Sequence, residues 1–131
     1  MTTQQLNGTG LTLSLTVRDI DASVSWYHDI VGFAINQRME RDGELRAVAI
    51  TAGNVRVLLN KDDGARGWER TKGEGFSFTI NIDQDIDAVA RGIVERGGKL
   101  QSEPADMPWG ARVFRLVDPD GYRFAISSPL R

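Results

Sequence analysis

One histidine, no cysteine and eighteen carboxylates set the chemistry open to this chain. Without cysteine there is no thiolate nucleophile, disulfide, zinc knuckle or iron-sulfur cluster. With His28 as the sole imidazole, one chain cannot build any two-histidine metal site, including the two-His-one-carboxylate iron triad. His28 stands between Tyr27 and Asp29, neighbours that do not face each other on a helix, so it reads as a solvated helix residue. Glu40, Asp42, Glu44, Glu69, Glu103 and Asp106 fall in turns or at strand edges, and no pair has a spacing that compels a general acid and base. A serine nucleophile would lack a placed base. The glycine-rich Arg96-Gly-Gly98 ends a helical pattern rather than starting one, which argues against a phosphate cradle.

What remains are groups suited to binding. Trp68 and Trp109 are large planar surfaces in polar surroundings. Trp68, in the segment Lys61 to Glu74, either anchors that connector to the body or helps cover a pocket. Trp109, beside Gly110, is either a stacking surface or core packing. Arg56 and Arg123 are cations within strand-like stretches.

The elements that must position these groups come twice. Leu11 to Val17 alternates apolar and polar residues, the period of a half-buried strand. Asp19-Ile-Asp21 supplies N-cap chemistry, and Ile20, Val24, Tyr27 and Val31 follow at helical spacing up to Gly32. Phe33 to Glu40, Arg46 to Thr51 and Val55 to Asn60 read as three further strands, giving βαβββ. About 66 positions later, Asp85-Ile-Asp87-Ala88 repeats Asp19-Ile-Asp21-Ala22, and Gly98 falls on Gly32. Phe76 to Ile82 alternates as Leu11 to Val17 does, Ile86 to Val94 gives a second helix, and Tyr122 to Ile126 matches Val55 to Leu59. The expectation is one α+β domain over residues 1–131. Module one covers about 10–60, the connector about 61–74 and module two about 75–128.

Leu15-Thr-Val-Arg-Asp-Ile-Asp21, Ser23-Val-Ser-Trp-Tyr27, Val31-Gly-Phe33, Pro108-Trp-Gly110 and Asp118-Pro-Asp-Gly121 occur in an order, and at spacings, that resemble the glyoxalase, bleomycin-resistance and extradiol dioxygenase (vicinal oxygen chelate) superfamily. The resemblance implies two tandem βαβββ modules whose curved mixed sheets form a cup-like cavity. Alternation then puts Leu11, Leu13, Leu15 and Val17 on the helix side. Thr12, Ser14 and Thr16, Ser77, Thr79 and Asn81, Arg56, Leu58 and Asn60, and Arg123, Ala125 and Ser127 face the cup. Metal-dependent relatives carry four ligands on these strands, and the matching positions here are Thr12, Leu58, Ser77 and Ala125. None is a normal transition-metal ligand.

The expected function is therefore a small-molecule binding protein of this type without a metal or other cofactor. Its site would comprise Thr12, Ser14, Arg56, Leu58, Asn60, Trp68, Ser77, Thr79, Met107, Trp109, Arg123 and Ala125. The arginines favour a neutral or anionic ligand. The alternative is a divergent lyase, isomerase or dioxygenase-like enzyme acting on a small carbonyl or aromatic compound. A domain devoted to protein interaction would instead have a filled, apolar cup.

The resemblance also implies a homodimer. A net charge of −2 gives no pull toward nucleic acid or a membrane surface. The polar stretch Met1 to Gly10, with no spanning apolar run elsewhere, points to the cytoplasm.

Overall fold

The computed structural model describes residues 4–130. Module one consists of β1 (Thr12–Val17), α1 (Ile20–Ser25) continued by a wider helical turn (Trp26–Val31), β2 (Ala34–Arg41), β3 (Glu44–Ala52) and β4 (Val55–Lys61). Module two repeats it with β5 (Ser77–Asn81), α2 (Ile86–Glu95), β6 (Ser102–Met107), β7 (Ala111–Val117) and β8 (Arg123–Pro129). The two sheets have the same order, β1-β4-β3-β2 and β5-β8-β7-β6, with the first strand of each module parallel to its last. Both βαβββ units are therefore present. Among the described residues no helix is long and apolar enough to cross a membrane.

Local chemistry explains the element ends. The Asp19 carboxylate accepts the Ala22 amide, and Asp85 accepts those of Asp87 and Ala88, satisfying amides that each helix leaves unpaired. The first helix widens because the amides of Gly32 and Phe33 both reach back to the carbonyl of Tyr27. Gly32 then closes it with φ at 110°, a conformation glycine adopts without cost. In the second module Gly97, not Gly98, has the left-handed turn, at φ 98°. Gly98 serves packing instead: a Cβ there would lie 2.5 Å from Ile93 Cγ2 and 2.8 Å from Ile30 Cγ2. The repeat read from the letters is thus one residue out at this point.

Strand alternation holds where strands pair. Leu15, Val17, Val57, Leu59, Val48 and Ile50 are buried, and Leu13 packs against them. Leu11, expected with this set, precedes β1 and is 82% exposed. One cluster of buried side chains runs through both modules, including Tyr27 from the first and Phe114, Leu116 and Phe124 from the second. Full burial of each large side chain contributes roughly 1.5–3 kcal/mol. The ring of Tyr27 stacks on that of Phe124 with centroids 6.1 Å apart, and Phe124 stacks on Phe78 at 4.8 Å.

The sheets share no strand pairing. They are joined by this core and by a polar clasp in which the Asp118-Pro-Asp-Gly121 turn of module two grips the β1–α1 junction of module one. Tyr27 Oη donates to Asp118 Oδ2 at 2.8 Å, and the amides of Asp120 and Tyr122 donate to Asp118 Oδ1 at 2.9 Å. Asp120 accepts the Arg18 amide and the Ser23 hydroxyl, and Tyr122 Oη donates to the Thr16 carbonyl. Burial pushes the Tyr27 phenol up, with the Asp118 charge adding to the shift. Burial likewise holds the Asp118 carboxyl above its ordinary value, against the pull of the hydrogen bonds it accepts. A motif readable as a simple turn is therefore a joint between modules.

Candidate functional site

Strand register places the expected cup residues. On sheet one Thr12 lies beside Arg56, Ser14 beside Leu58 and Thr16 beside Asn60. On sheet two Ser77 lies beside Arg123, Thr79 beside Ala125 and Asn81 beside Ser127. On β1, β4 and β5 each set faces away from its module's helix, since the alternate residues are the more buried ones; on β8 both faces are covered from Phe124 to Ser128. Thr12, Ser14, Ser77, Thr79 and Arg123 are exposed, whereas Ala125 and Ser127 are buried. Arg56 donates to Asn36 Oδ1 at 3.2 Å. Arg115 on β7 pairs with Ala125, so it joins Arg123 on the open face of sheet two. Neither takes part in an ion pair among the described residues.

A cleft of about 1060 Å³ opens where the β3–β4 turn of module one approaches the β5 edge of module two. Thr79, Asn81, Ser127 and Ser128 line one side, and Ala52 to Val55 the other. Trp109, 67% exposed on the β6–β7 hairpin, stands at its wall rather than in the core. Pseudosymmetry explains the opening. Where module two has Asp118-Pro-Asp-Gly-Tyr122, module one has only Thr51-Ala-Gly-Asn-Val55, and the counterpart of Tyr27 is Ile93. One joint is sealed by the buried Tyr27–Asp118 bond, while the equivalent joint lacks both groups and stays open.

Of the expected site residues, the cleft gathers Thr79 and Trp109 only. Trp68 is elsewhere. Its ring packs on Gly64, where a Cβ would lie 2.4 Å from Cε2, and its carbonyl accepts from Arg18 Nη2 at 2.8 Å. It anchors its own connector. Met107 pairs with Ala111 at the β6–β7 hairpin and does not line the cleft. Asn81 and Ser127, expected to face the cup, line the cleft as well, and Ser128 joins them. Arg115 was not foreseen because no period marked where β7 begins.

Thr12, Leu58, Ser77 and Ala125, the positions that the resemblance matches to the family's metal ligands, offer no imidazole or carboxylate, and no group of three His, Asp or Glu side chains converges among the described residues. His28 Nδ1 donates to the Phe33 carbonyl at 2.7 Å, which fixes the proton on that nitrogen and ties the ring to the end of its own helix. The residues present do not fit a divalent transition metal. Elsewhere four carboxylates are held in ion pairs: Glu44 with Lys61 and Arg46, Asp87 and Asp106 with Arg112, and Asp62 with the buried Lys72 at 2.8 Å.

A family model described as the glyoxalase/bleomycin resistance protein/dioxygenase superfamily matches residues 10–126. The chain belongs to this superfamily. It is 29% identical over 118 residues to a probable lactoylglutathione lyase of Synechocystis, covering 86% of this chain and 88% of that protein. Against a lactoylglutathione lyase of Arabidopsis thaliana identity is 25% over 84% of this chain, which spans only 40% of the plant protein. Among solved structures, TioX from Micromonospora sp. ML1 superposes with a TM-score of 0.76 at 20% identity, covering 94% of this chain and 100% of TioX. TnmS3, an antibiotic binding protein from Streptomyces sp. CB03234, gives 0.72 at 22% identity over 96% and 99%. At these identities the superpositions speak for the shared superfamily fold.

Proposed function

We propose that this chain is a small-molecule binding protein that works without a transition metal, its ligand seated against sheet two in the cleft walled by Trp109. The observation that carries this reading is the side-chain chemistry: Thr12, Leu58, Ser77 and Ala125, which the resemblance matches to the ligand positions of metal-dependent members, offer no imidazole, thiolate or carboxylate. Support also comes from the cleft, where an exposed indole faces the hydroxyl and amide groups of Thr79, Asn81, Ser127 and Ser128. That combination suits a planar ligand with hydrogen-bonding substituents. Arg115 and Arg123, on the same face, favour a neutral or anionic molecule over a cationic one. A cytoplasmic homodimer, in which a second copy extends the open sheet faces, is part of this proposal.

The experiment is a ligand screen by indole fluorescence and thermal shift with the wild-type chain, Trp68→Phe and Trp109→Phe. A ligand of this site quenches fluorescence in the wild type and in Trp68→Phe, and loses its quench in Trp109→Phe. No response to any compound class would overturn the reading.

A second reading is a divergent lyase, favoured by the name of the Synechocystis relative. It predicts turnover that yields or consumes lactoylglutathione on addition of a divalent metal. The binding reading predicts none, and no stoichiometric metal in the purified protein.

A further inference from the structure

Between α2 and module one lies a second pocket, of about 450 Å³, on the helix side of β5. Val31, Phe33, Ile80, Val89 and Ile126 make its walls apolar. One cation lines it. Arg96, the C-cap of α2, stretches across to module one, where Nε donates to the Ile30 carbonyl at 2.9 Å and Nη2 to the Val31 carbonyl at 3.4 Å. These bonds fix the guanidinium without neutralising it, since none of the ion pairs among the described residues involves Arg96. Nη1 has no acceptor among them. Gly92 makes the placement possible, because a Cβ there would sit 2.9 Å from Nη1.

A guanidinium tied to two backbone carbonyls at the exposed edge of the pocket, with unused donors beside apolar side chains, matches a carboxylate on an apolar body. The pocket is within the range of roughly 300–1,000 Å³ common for small-molecule sites. Its one acid, Asp85, is engaged by the amides of Asp87 and Ala88 and disfavours a second negative charge on the ligand. Apolar walls penalise a dianion further. We infer that this pocket binds a monocarboxylic acid with a compact aryl or branched alkyl body, the carboxylate on Arg96. The pocket adjoins the Trp109 cleft, sharing Gly32, Ala52, Ile80, Ile82 and Gln84 with it, but Arg96 lines only the pocket and Trp109 only the cleft, so the inference stands whether or not the cleft binds its own ligand.

The test uses phenylacetate and its neutral isostere phenylacetamide, titrated calorimetrically at neutral pH into the folded full chain. Phenylacetate is expected to bind about tenfold or more tighter than the amide, as one charge-assisted bond pair replaces neutral ones. Arg96→Gln removes that preference. Gly92→Ala, which keeps the charge but displaces the guanidinium, weakens phenylacetate more than the amide and so narrows the acid preference. Trp109→Phe alters neither, which separates this site from the cleft. Circular dichroism establishes that each variant is folded; if Arg96→Gln is not, Gly92→Ala decides alone. Equal affinity for acid and amide, no binding of phenylacetate at millimolar concentration, an acid preference surviving both variants, or its loss in Trp109→Phe would each overturn the assignment.

Discussion

Tyr27 and Asp118, 91 residues apart, share a buried hydrogen bond of 2.8 Å that joins one module's helix to the other module's last turn. The phenol ring also stacks on Phe124, so the residue serves packing and polarity together. Tyr27→Phe keeps the packing and strips Asp118 Oδ2 of its donor. The expected loss is about 1–3 kcal/mol of stability, the cost of leaving a buried acceptor unmet. Urea denaturation against wild type measures it.

The charge of Asp118 gives the same joint a pH dependence. Its carboxyl is held above the ordinary value by burial, so the folded state binds a proton more readily than the unfolded one. Stability from this group is therefore fully present below the unfolded value near 3.8 and falls as pH rises through the folded value. Asp118→Asn has no such term. Relative to wild type, the variant should gain as pH rises from about 4 toward neutrality and lose that advantage on acidification. Urea midpoints of both proteins across that range check the sign.

Asp62 behaves in the opposite sense. The Lys72 ammonium 2.8 Å away and the hydrogen bond from the Gly64 amide hold it below the ordinary carboxylate value, so its contribution is present above about 3.8 and lost as pH falls through the folded value. Asp62→Asn should lower the thermal midpoint at neutral pH, leaving the buried Lys72 ammonium without its partner, and should match wild type more closely in strong acid. The neighbouring Asp63→Asn, which removes a charge but keeps an acceptor for the Ala65 amide, is the control. Equal effects of the two at neutral pH would remove the special role of the Lys72 pair.

Gly98 tests the contact between the helices of the two modules. Its hypothetical Cβ meets Ile93 and Ile30 at under 3 Å, with the Ile93 carbonyl as close. Gly98→Ala should cost about 1–3 kcal/mol through overpacking, while Gly97→Ala, with open space but a φ of 98°, pays only in backbone strain. Chemical denaturation of the pair separates the two causes.

Much of the fold was legible because amphipathic strands and Asp-capped helices recur with fixed periods, and duplication doubles the signal. Leu13, Leu15 and Val17 sit on the side their alternation dictates. Leu11 does not, because alternation continues in the letters past the point where pairing with β4 begins at Thr12. The site was less readable. Trp68 and Trp109 look alike in sequence, but Gly64 offers one indole a surface in its own connector, and the Met107–Gly110 turn holds the other beside the cleft. Arg115 and Arg96 escaped notice because their meaning depends on a strand register and on two backbone carbonyls 65 and 66 residues away.

The unequal joints also bear on how such a scaffold can change. The sealed joint holds the modules together through the buried bond of Tyr27 and the grip of Asp118 and Asp120, so residues there are constrained by stability. The open joint is bordered by Gly53, Asn54 and Trp109, all exposed and outside the core. Substitution of Asn54 or Trp109 reshapes the cleft wall without disturbing the core, whereas Gly53, at φ 57°, is held by its backbone. A duplicated domain with unequal joints keeps one copy of the junction for cohesion and leaves the other free to vary.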